Sequence, residues 1–141
     1  IHNPALFILD YDTNAGPELL EKTLLKFIMT LRKRHPEIPV ITISAEPKPA
    51  EKYALEKPCS HRAERLAFTR IHRQIHDELV ACGDKKVFFL DGLALYGKDF
   101  PECAVDSLHA NDLGSYRIAH ALAPYIQQIL SQSEDCKESL K

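Results

Sequence analysis

Three short apolar runs divide the chain at regular intervals. They lie at residues 5–10, 40–44 and 87–91, and each ends in an acidic or hydroxyl residue. Runs of this length and apolar character are typical of strands buried in the middle of a parallel sheet. The pattern therefore predicts three central strands.

The segments between these runs carry apolar residues at helical spacing. Residues 18–34 place leucine, phenylalanine and isoleucine at intervals of three and four, with lysines and arginines on the other face. Pro17 favours the first turn of this helix, and Pro36 ends the segment. A second helix is predicted at residues 62–82, with Gly83 as its C-terminal stop.

The last helix and the longer connections are also visible in the sequence. The helix is predicted to begin at Asn111 or Asp112, since either residue is a good N-cap, and Pro124 predicts a kink or a break inside it. Residues 45–60, with three prolines, are predicted to form a long loop, as are residues 93–110. Long loops inside compact domains are often functional.

The elements follow the order strand, helix, strand, helix, strand, helix. This alternation predicts an α/β fold in which right-handed crossovers place helices on both faces of a parallel sheet. Ligands bind such sheets beyond the carboxyl ends of the strands, so the residues that follow the three strands are the first candidates for a site. Residues 1–130 are predicted to form the domain, and residues 131–141 a polar tail.

Composition narrows the class of protein. The chain has 141 residues, with 18 Lys and Arg against 20 Asp and Glu, and its formal net charge of −2 argues against a protein that mainly binds nucleic acid or anionic lipid. Its longest uncharged apolar run, residues 5–9, is too short to span a membrane. The N-terminus shows no signal-peptide pattern, and a first residue other than Met indicates that an N-terminal part lies outside the sequence.

Four cysteines occur, and no two of them form a Cys-x-x-Cys motif, so a zinc site of thiolates is not expected. They are Cys59, Cys82, Cys103 and Cys136. The expected state is buried or unreactive thiols, and a disulfide between Cys59 and Cys103 remains open.

One pair of residues has the spacing of an acid and a base. Asp106 stands three residues before His109, so its carboxylate can accept the Nδ1 proton of the imidazole within one turn and leave Nε2 as an outward-facing base. The alternative is a helix-capping acid beside a surface histidine. A second pair, His72 and His76, has the i, i+4 spacing of metal ligands on a helix, but no third ligand accompanies it, so both are predicted to be solvated.

The surroundings of Asp106 resemble a known signature. Residues 105–119 read Val-Asp-Ser-Leu-His-Ala-Asn-Asp-Leu-Gly-Ser-Tyr-Arg-Ile-Ala. They are similar to the C-terminal motif of SGNH (GDSL-type) esterases, which is close to Val-Asp-Gly-x-His-Pro-Asn-Asp-x-Gly. The resemblance extends over residues 5–130 and implies a three-layer α/β/α, flavodoxin-like fold with a parallel sheet.

The resemblance also implies roles for three residues. His109 matches the catalytic base, Asp106 the acid that orients it, and Asn14 the asparagine whose amide helps to form the oxyanion hole. Around Asn14 the sequence Asp-Tyr-Asp-Thr-Asn departs from the commoner Gly-x-Asn-Asp, and the alternative is a turn residue that leads into Gly16.

Two parts of the family's site have no counterpart in the chain, which contains no Gly-Asp-Ser motif and no second oxyanion glycine. Neither Ser44 nor Cys103 matches the position of the nucleophile. The chain therefore resembles the C-terminal portion of the fold, with the N-terminal strand or strands missing. Its first strand is expected to pair with that missing N-terminal segment or with another chain, because an open apolar edge is a hazard for aggregation.

The implied activity is ester hydrolysis by a Ser-His-Asp triad, with the serine supplied from outside this chain. The implied substrates are small-molecule or carbohydrate esters, acyl or acetyl, and the chemistry requires no metal or organic cofactor. Two alternatives remain: a non-catalytic α/β binding or assembly module, and an inactive truncated fragment of the esterase.

Overall fold

The structure, a computed structural model, describes residues 4–53, 60–106 and 108–138, with side chains as far as residue 132 in the last range. Its three strands are β1 (Phe7–Leu9), β2 (Val40–Ile43) and β3 (Val87–Leu90). They form one parallel sheet in the order β1-β2-β3. The predicted strands and their parallel arrangement are confirmed, with β1 shorter at both ends than the apolar run.

Six helices and one 3₁₀ turn accompany the sheet in the described residues. The helices are α1 (Asp12–Ala15), α2 (Pro17–Arg34), α3 (Ala50–Tyr53), α4 (Ser60–Ala81), α5 (Leu93–Tyr96) and α6 (Asp112–Glu138), and the 3₁₀ turn spans Phe100–Cys103. The short helices α3 and α5 lie in segments predicted as loops. Neither segment shows a long apolar period, so a single helical turn leaves no signal in the sequence.

The sheet separates two apolar layers. Helices α2 and α4 pack together on one face, where Leu24, Ile28 and Phe68 are buried with Val40 of β2. Helices α5 and α6 cover the other face, where Ile129 is buried with Ile41 and other residues of the sheet. The α/β architecture with helices on both faces of a parallel sheet is thus confirmed.

Strand β1 lies at one edge of this sheet. Ile8 is in register with Ile41 and therefore shares its face, yet Ile8 is 42% exposed whereas Ile41 is fully buried. Within the described part of the chain, β1 pairs only with β2, and no helix covers Ile8 as α6 covers Ile41. The sheet therefore presents an open strand edge and an uncovered apolar residue at the same place.

Helix α6 runs through Pro124 without interruption, so the predicted break is not found. Proline removes one backbone donor, and the carbonyl of His120 loses its helical partner. Because His120 and Pro124 both lie on the exposed face of the helix, water can replace that bond. The helix continues to Glu138, into the residues predicted as a polar tail. No helix in the described ranges is both long and apolar enough to cross a membrane.

Candidate active site

The loop before α6 carries Asp106 and His109 on a backbone that closes on itself. Ala104 and Ala110 form an antiparallel bridge, and the N–H of Val105 donates to the carbonyl of His109 at 2.9 Å. This short closed loop holds the two candidate residues close together before any side chain contributes.

Asn111 fastens the loop to α6. Its Oδ1 accepts the N–H of Gly114 at 2.9 Å, which confirms it as the N-cap of the helix, and its Nδ2 donates to the carbonyl of Glu102 at 2.7 Å. Gly114 packs so closely that a Cβ there would collide with the backbone carbonyl of Cys103. Capping therefore explains Asn111, and close packing explains Gly114; together they hold the loop in place.

The carboxylate of Asp106 orients the imidazole of His109 as the spacing predicts. Oδ2 of Asp106 lies 2.9 Å from Nδ1 of His109, while Oδ1 accepts the backbone N–H groups of Leu108 and His109 at 2.6 and 2.7 Å. The side chain of His109, followed by these two backbone donors, lowers the pKa of Asp106 to about 2.

This geometry decides which ring nitrogen of His109 is free. Because Asp106 is ionised at neutral pH, its carboxylate can only accept, so Nδ1 of a neutral His109 carries the proton and Nε2 carries the lone pair. Nε2 makes no hydrogen bond to any described residue, and the side chain of His109 is 72% exposed. A base with an available lone pair therefore stands at the surface of the chain.

Asn14 lies at the carboxyl edge of the sheet, on the single turn α1 that follows β1. Its backbone N–H donates to the carbonyl of Tyr11 at 3.1 Å, and its exposed side chain makes no hydrogen bond within the described ranges. The amide is thus available as a donor. Its proximity to His109 remains a prediction from the resemblance.

Acidic and phenolic groups line the same edge of the sheet. Burial raises the pKa of Glu46, which follows β2, and the carboxylates of Asp10 and Asp12 raise it further. Burial raises the pKa of Tyr96, which follows β3, to about 12, with Glu46 as the next contribution. Groups beyond the carboxyl ends of all three strands therefore interact electrostatically with one another.

The prediction for His72 is wrong. Its side chain is 1% exposed, and its Nε2 lies 2.8 Å from Oδ1 of Asp12, which is equally buried. The sequence did contain a signal for this burial, since His72 follows Phe68 by four residues and precedes Ile75 by three, which places it on the apolar face of α4. His76 is partly exposed and contacts Asp77 at 3.0 Å.

The two residues of this chain that could substitute for the serine, Ser44 and Cys103, are both buried in the protein. Ser44 is fully buried and accepts the N–H of Gly92 at 3.1 Å, and Cys103 is also fully buried. Cys59, the other member of the disulfide that the sequence leaves open, lies outside the described residues. In the part of the chain that the structure describes, no three His, Cys, Asp or Glu side chains are grouped so as to hold a metal ion.

Comparison with solved structures shows the same fold in three proteins. A Bacteroides ovatus protein classed as a GDSL-like lipase has 27% sequence identity and a TM-score of 0.80, and the alignment covers 92% of this chain and 37% of that one. The salicylyl-acyltransferase of a tetracycline biosynthetic pathway has 20% identity and a TM-score of 0.68, with coverages of 91% and 39%. A GDSL-like lipase from Bacteroides thetaiotaomicron has 20% identity and a TM-score of 0.53, with coverages of 89% and 63%.

The chain thus spans less than two thirds of the length of each of these proteins. A comparison with curated proteins finds no significant match. The sequence model of the GDSL-like lipase/acylhydrolase family matches residues 2–127, which is most of the chain. With the fold in agreement, the chain belongs to the SGNH/GDSL-like lipase and acylhydrolase family.

Proposed function

We propose that this chain supplies the base, the acid and one oxyanion donor of a Ser-His-Asp acyl hydrolase, with the nucleophilic serine coming from outside the chain. The observation that carries the proposal is the 2.9 Å contact between Asp106 and Nδ1 of His109, which leaves Nε2 exposed. Membership of the GDSL-like lipase/acylhydrolase family supports acyl transfer as the reaction class.

In the proposed reaction, Nε2 of His109 removes the proton of the serine hydroxyl as the oxygen attacks the ester carbonyl. Asp106 stabilises the imidazolium that forms, because its depressed pKa keeps it ionised. His109 returns the proton to the leaving alcohol, and then activates the water that releases the acid. No step requires a metal or an organic cofactor.

Asn14 is proposed to donate its side-chain N–H to the oxyanion of the tetrahedral intermediate. A neutral side-chain donor of this kind contributes about 3 kcal/mol of transition-state stabilisation in enzymes of this mechanism. The amide of Asn14 supports this role, because it is exposed at the carboxyl edge of the sheet and makes no hydrogen bond to a described residue.

The serine is proposed to arrive with a strand that pairs with β1. Alternate residues of a parallel strand direct their backbone groups to the same neighbour, and Phe7 donates to Pro39 on the β2 side, so Ile8 directs its groups to the open edge. An added strand would satisfy these groups, and a helix that follows it would cover Ile8. The N-terminal segment of the family fold or a second chain could supply both.

The proposed substrates are small-molecule or carbohydrate esters with an acetyl or short acyl group. No basic patch is expected for a nucleic-acid ligand, given a net charge of −2. One protein with the same fold is a salicylyl-acyltransferase, so transfer of the acyl group to an acceptor other than water is a variation that the same chemistry permits.

Hydrolysis of p-nitrophenyl acetate by the full-length protein that contains this chain tests the proposal. His109→Ala is expected to lower kcat about 10⁶-fold, since only the catalysis that the oxyanion hole and binding supply would remain. His120→Ala is the matched control, because it removes another exposed histidine, on α6, that stands outside the proposed site.

The 141-residue chain alone is expected to show no turnover above background. If the chain alone hydrolyses the ester and His109→Ala abolishes that turnover, the nucleophile lies within the chain, and the proposal of an external serine is wrong. Turnover by the full-length protein that is unaffected by His109→Ala would overturn the triad, whereas no turnover by the full-length protein would favour a non-catalytic module.

A further inference from the structure

A second Asp–His pair lies inside the protein, beneath the turn that carries Asn14. Oδ1 of Asp12 lies 2.8 Å from Nε2 of His72, and both side chains are 1% exposed. Oδ2 of the same carboxylate accepts the backbone N–H of Ala45 at 3.0 Å. The carboxylate therefore has a partner on each oxygen and almost no access to water.

These contacts join several elements at one point. Asp12 begins α1, His72 belongs to α4, and Ala45 follows β2. The imidazole of His72 also stacks on the ring of Phe89 in β3, with ring centroids 5.7 Å apart. The side chain of Asp12 thus connects α1 both to helix α4 and to the residue that follows strand β2.

The arrangement of protons in this pair follows from the burial. Nδ1 of His72 is buried and has no partner among the described residues, whereas Nε2 faces the carboxylate. A protonated ring would leave an N–H of a cation without an acceptor inside the protein, which is costlier than an unpaired lone pair. His72 is therefore a neutral imidazole that donates from Nε2.

Helix α1 needs such an anchor because it is too short to be stable alone. It is a single turn of four residues, no side chain caps its N-terminus, and a solitary turn lacks the cooperativity that stabilises helices. Tyr11 and Ala15 pack against the core beside it, but the other side-chain hydrogen bond at this turn among the described residues is a long 3.4 Å contact between Tyr11 and Thr23. The position of Asn14 in this turn therefore depends on Asp12, two residues earlier.

We propose that Asp12 and His72 are positioning residues for oxyanion stabilisation: the buried pair holds α1 so that the side-chain amide of Asn14 points at the reacting carbonyl. This inference rests on the oxyanion role proposed for Asn14. Neither residue touches the substrate, so their effect must pass through Asn14.

A double-mutant cycle in the full-length protein, with p-nitrophenyl acetate as the substrate, tests this dependence. Asp12→Ala is expected to lower kcat about 10–100-fold, a part of the 10²–10³-fold that an oxyanion donor supplies, with KM changed less than about twofold. Asp12→Asn is expected to recover part of that loss: its amide can still accept from Ala45 and donate to the other tautomer of His72, although the Nδ1 proton of that tautomer is buried without an acceptor among the described residues.

In the Asn14→Ala background, Asp12→Ala is expected to lower kcat by less than about threefold, since the group that it positions is gone. Asp77→Ala is the matched control: it removes the acid of the exposed contact with His76 on the same helix α4 and should leave kcat unchanged in both backgrounds. If Asp12→Ala does not fold, His72→Gln takes its place, and its loss of kcat must likewise vanish in the Asn14→Ala background.

Losses from Asp12→Ala and Asn14→Ala that multiply would overturn the proposal, as would a loss that Asp12→Asn fails to recover. The proposed function fails in a different way. If Asn14→Ala alone leaves kcat unchanged, Asn14 is not an oxyanion donor, whatever the variants of Asp12 do.

Discussion

The chain contains two Asp–His contacts of nearly equal length in opposite surroundings. His109 meets Asp106 at 2.9 Å, with side-chain exposures of 72% and 52%, whereas His72 meets Asp12 at 2.8 Å, and both are 1% exposed. The exposed pair is local, three residues apart, and the buried pair joins residues 60 apart. The two carboxylates also bind different ring nitrogens, Nδ1 in the first pair and Nε2 in the second.

The difference separates a group that is available for chemistry from one that maintains geometry. A carboxylate on Nδ1 leaves the outward Nε2 of His109 with a lone pair beside solvent, where a substrate can reach it. A carboxylate on Nε2 inside the protein leaves His72 sealed between α1 and β3. Two hydrogen bonds of nearly equal length therefore suit different proposed roles. The exposed pair suits proton transfer, and the buried pair suits positioning.

The largest contrast is expected in stability. His72→Leu should lower the free energy of unfolding by about 1.5–3 kcal/mol, because the buried carboxylate of Asp12 loses the hydrogen bond that the neutral ring donates. His109→Leu, which replaces an imidazole in the exposed pair, should lower the free energy of unfolding far less, because that pair is open to solvent. Urea denaturation of the full-length variants, followed by circular dichroism, measures both. Equal stabilities for the two variants would mean that burial does not distinguish the pairs.

A smaller loss of stability is expected when Asn111, which fastens the loop of Asp106 and His109 to α6, is replaced. Asn111→Ala should lower the free energy of unfolding by about 1 kcal/mol, because the N-cap of α6 and the bond to the carbonyl of Glu102 are lost together. Asp112→Ala, at the next position, removes no such bonds and serves as the control in thermal unfolding. If the two variants unfold at the same temperature, Asn111 does not hold the loop.

The smallest effect concerns the titration of Asp106. Its pKa is lowered to about 2, so the pair contributes stability above the ordinary value of 3.8, and that contribution is lost as the pH falls toward 2. In His109→Ala the pKa should rise but stay below 3.8, because the two backbone donors remain. Carboxyl ¹³C chemical shifts measured against pH report it, with His120→Ala as control. An unchanged pKa would show that the imidazole is not the main cause.

The pattern of apolar residues along the chain was sufficient to predict the main elements of the fold. Apolar runs and helical periods predicted the three strands, the long helices and a parallel sheet, since burial of these faces is a property of local sequence. The contact between Asp106 and His109 was predictable for the same reason, because one turn of backbone brings the two side chains together. The short helices α3 and α5 had no period to reveal them.

His72 marks what the sequence alone could not decide. The spacing from Phe68 and Ile75 places it on the buried face of α4, but a buried imidazole needs a partner, and that partner is on another element. Chain folding brings Asp12 to it through the packing of α4 against the sheet, and no local pattern records a contact over that separation. The sequence therefore determined the contact between Asp106 and His109, and only the tertiary structure determined the contact between Asp12 and His72. The free energy of a buried carboxylate depends on the groups from other elements that pack around it and donate hydrogen bonds to it.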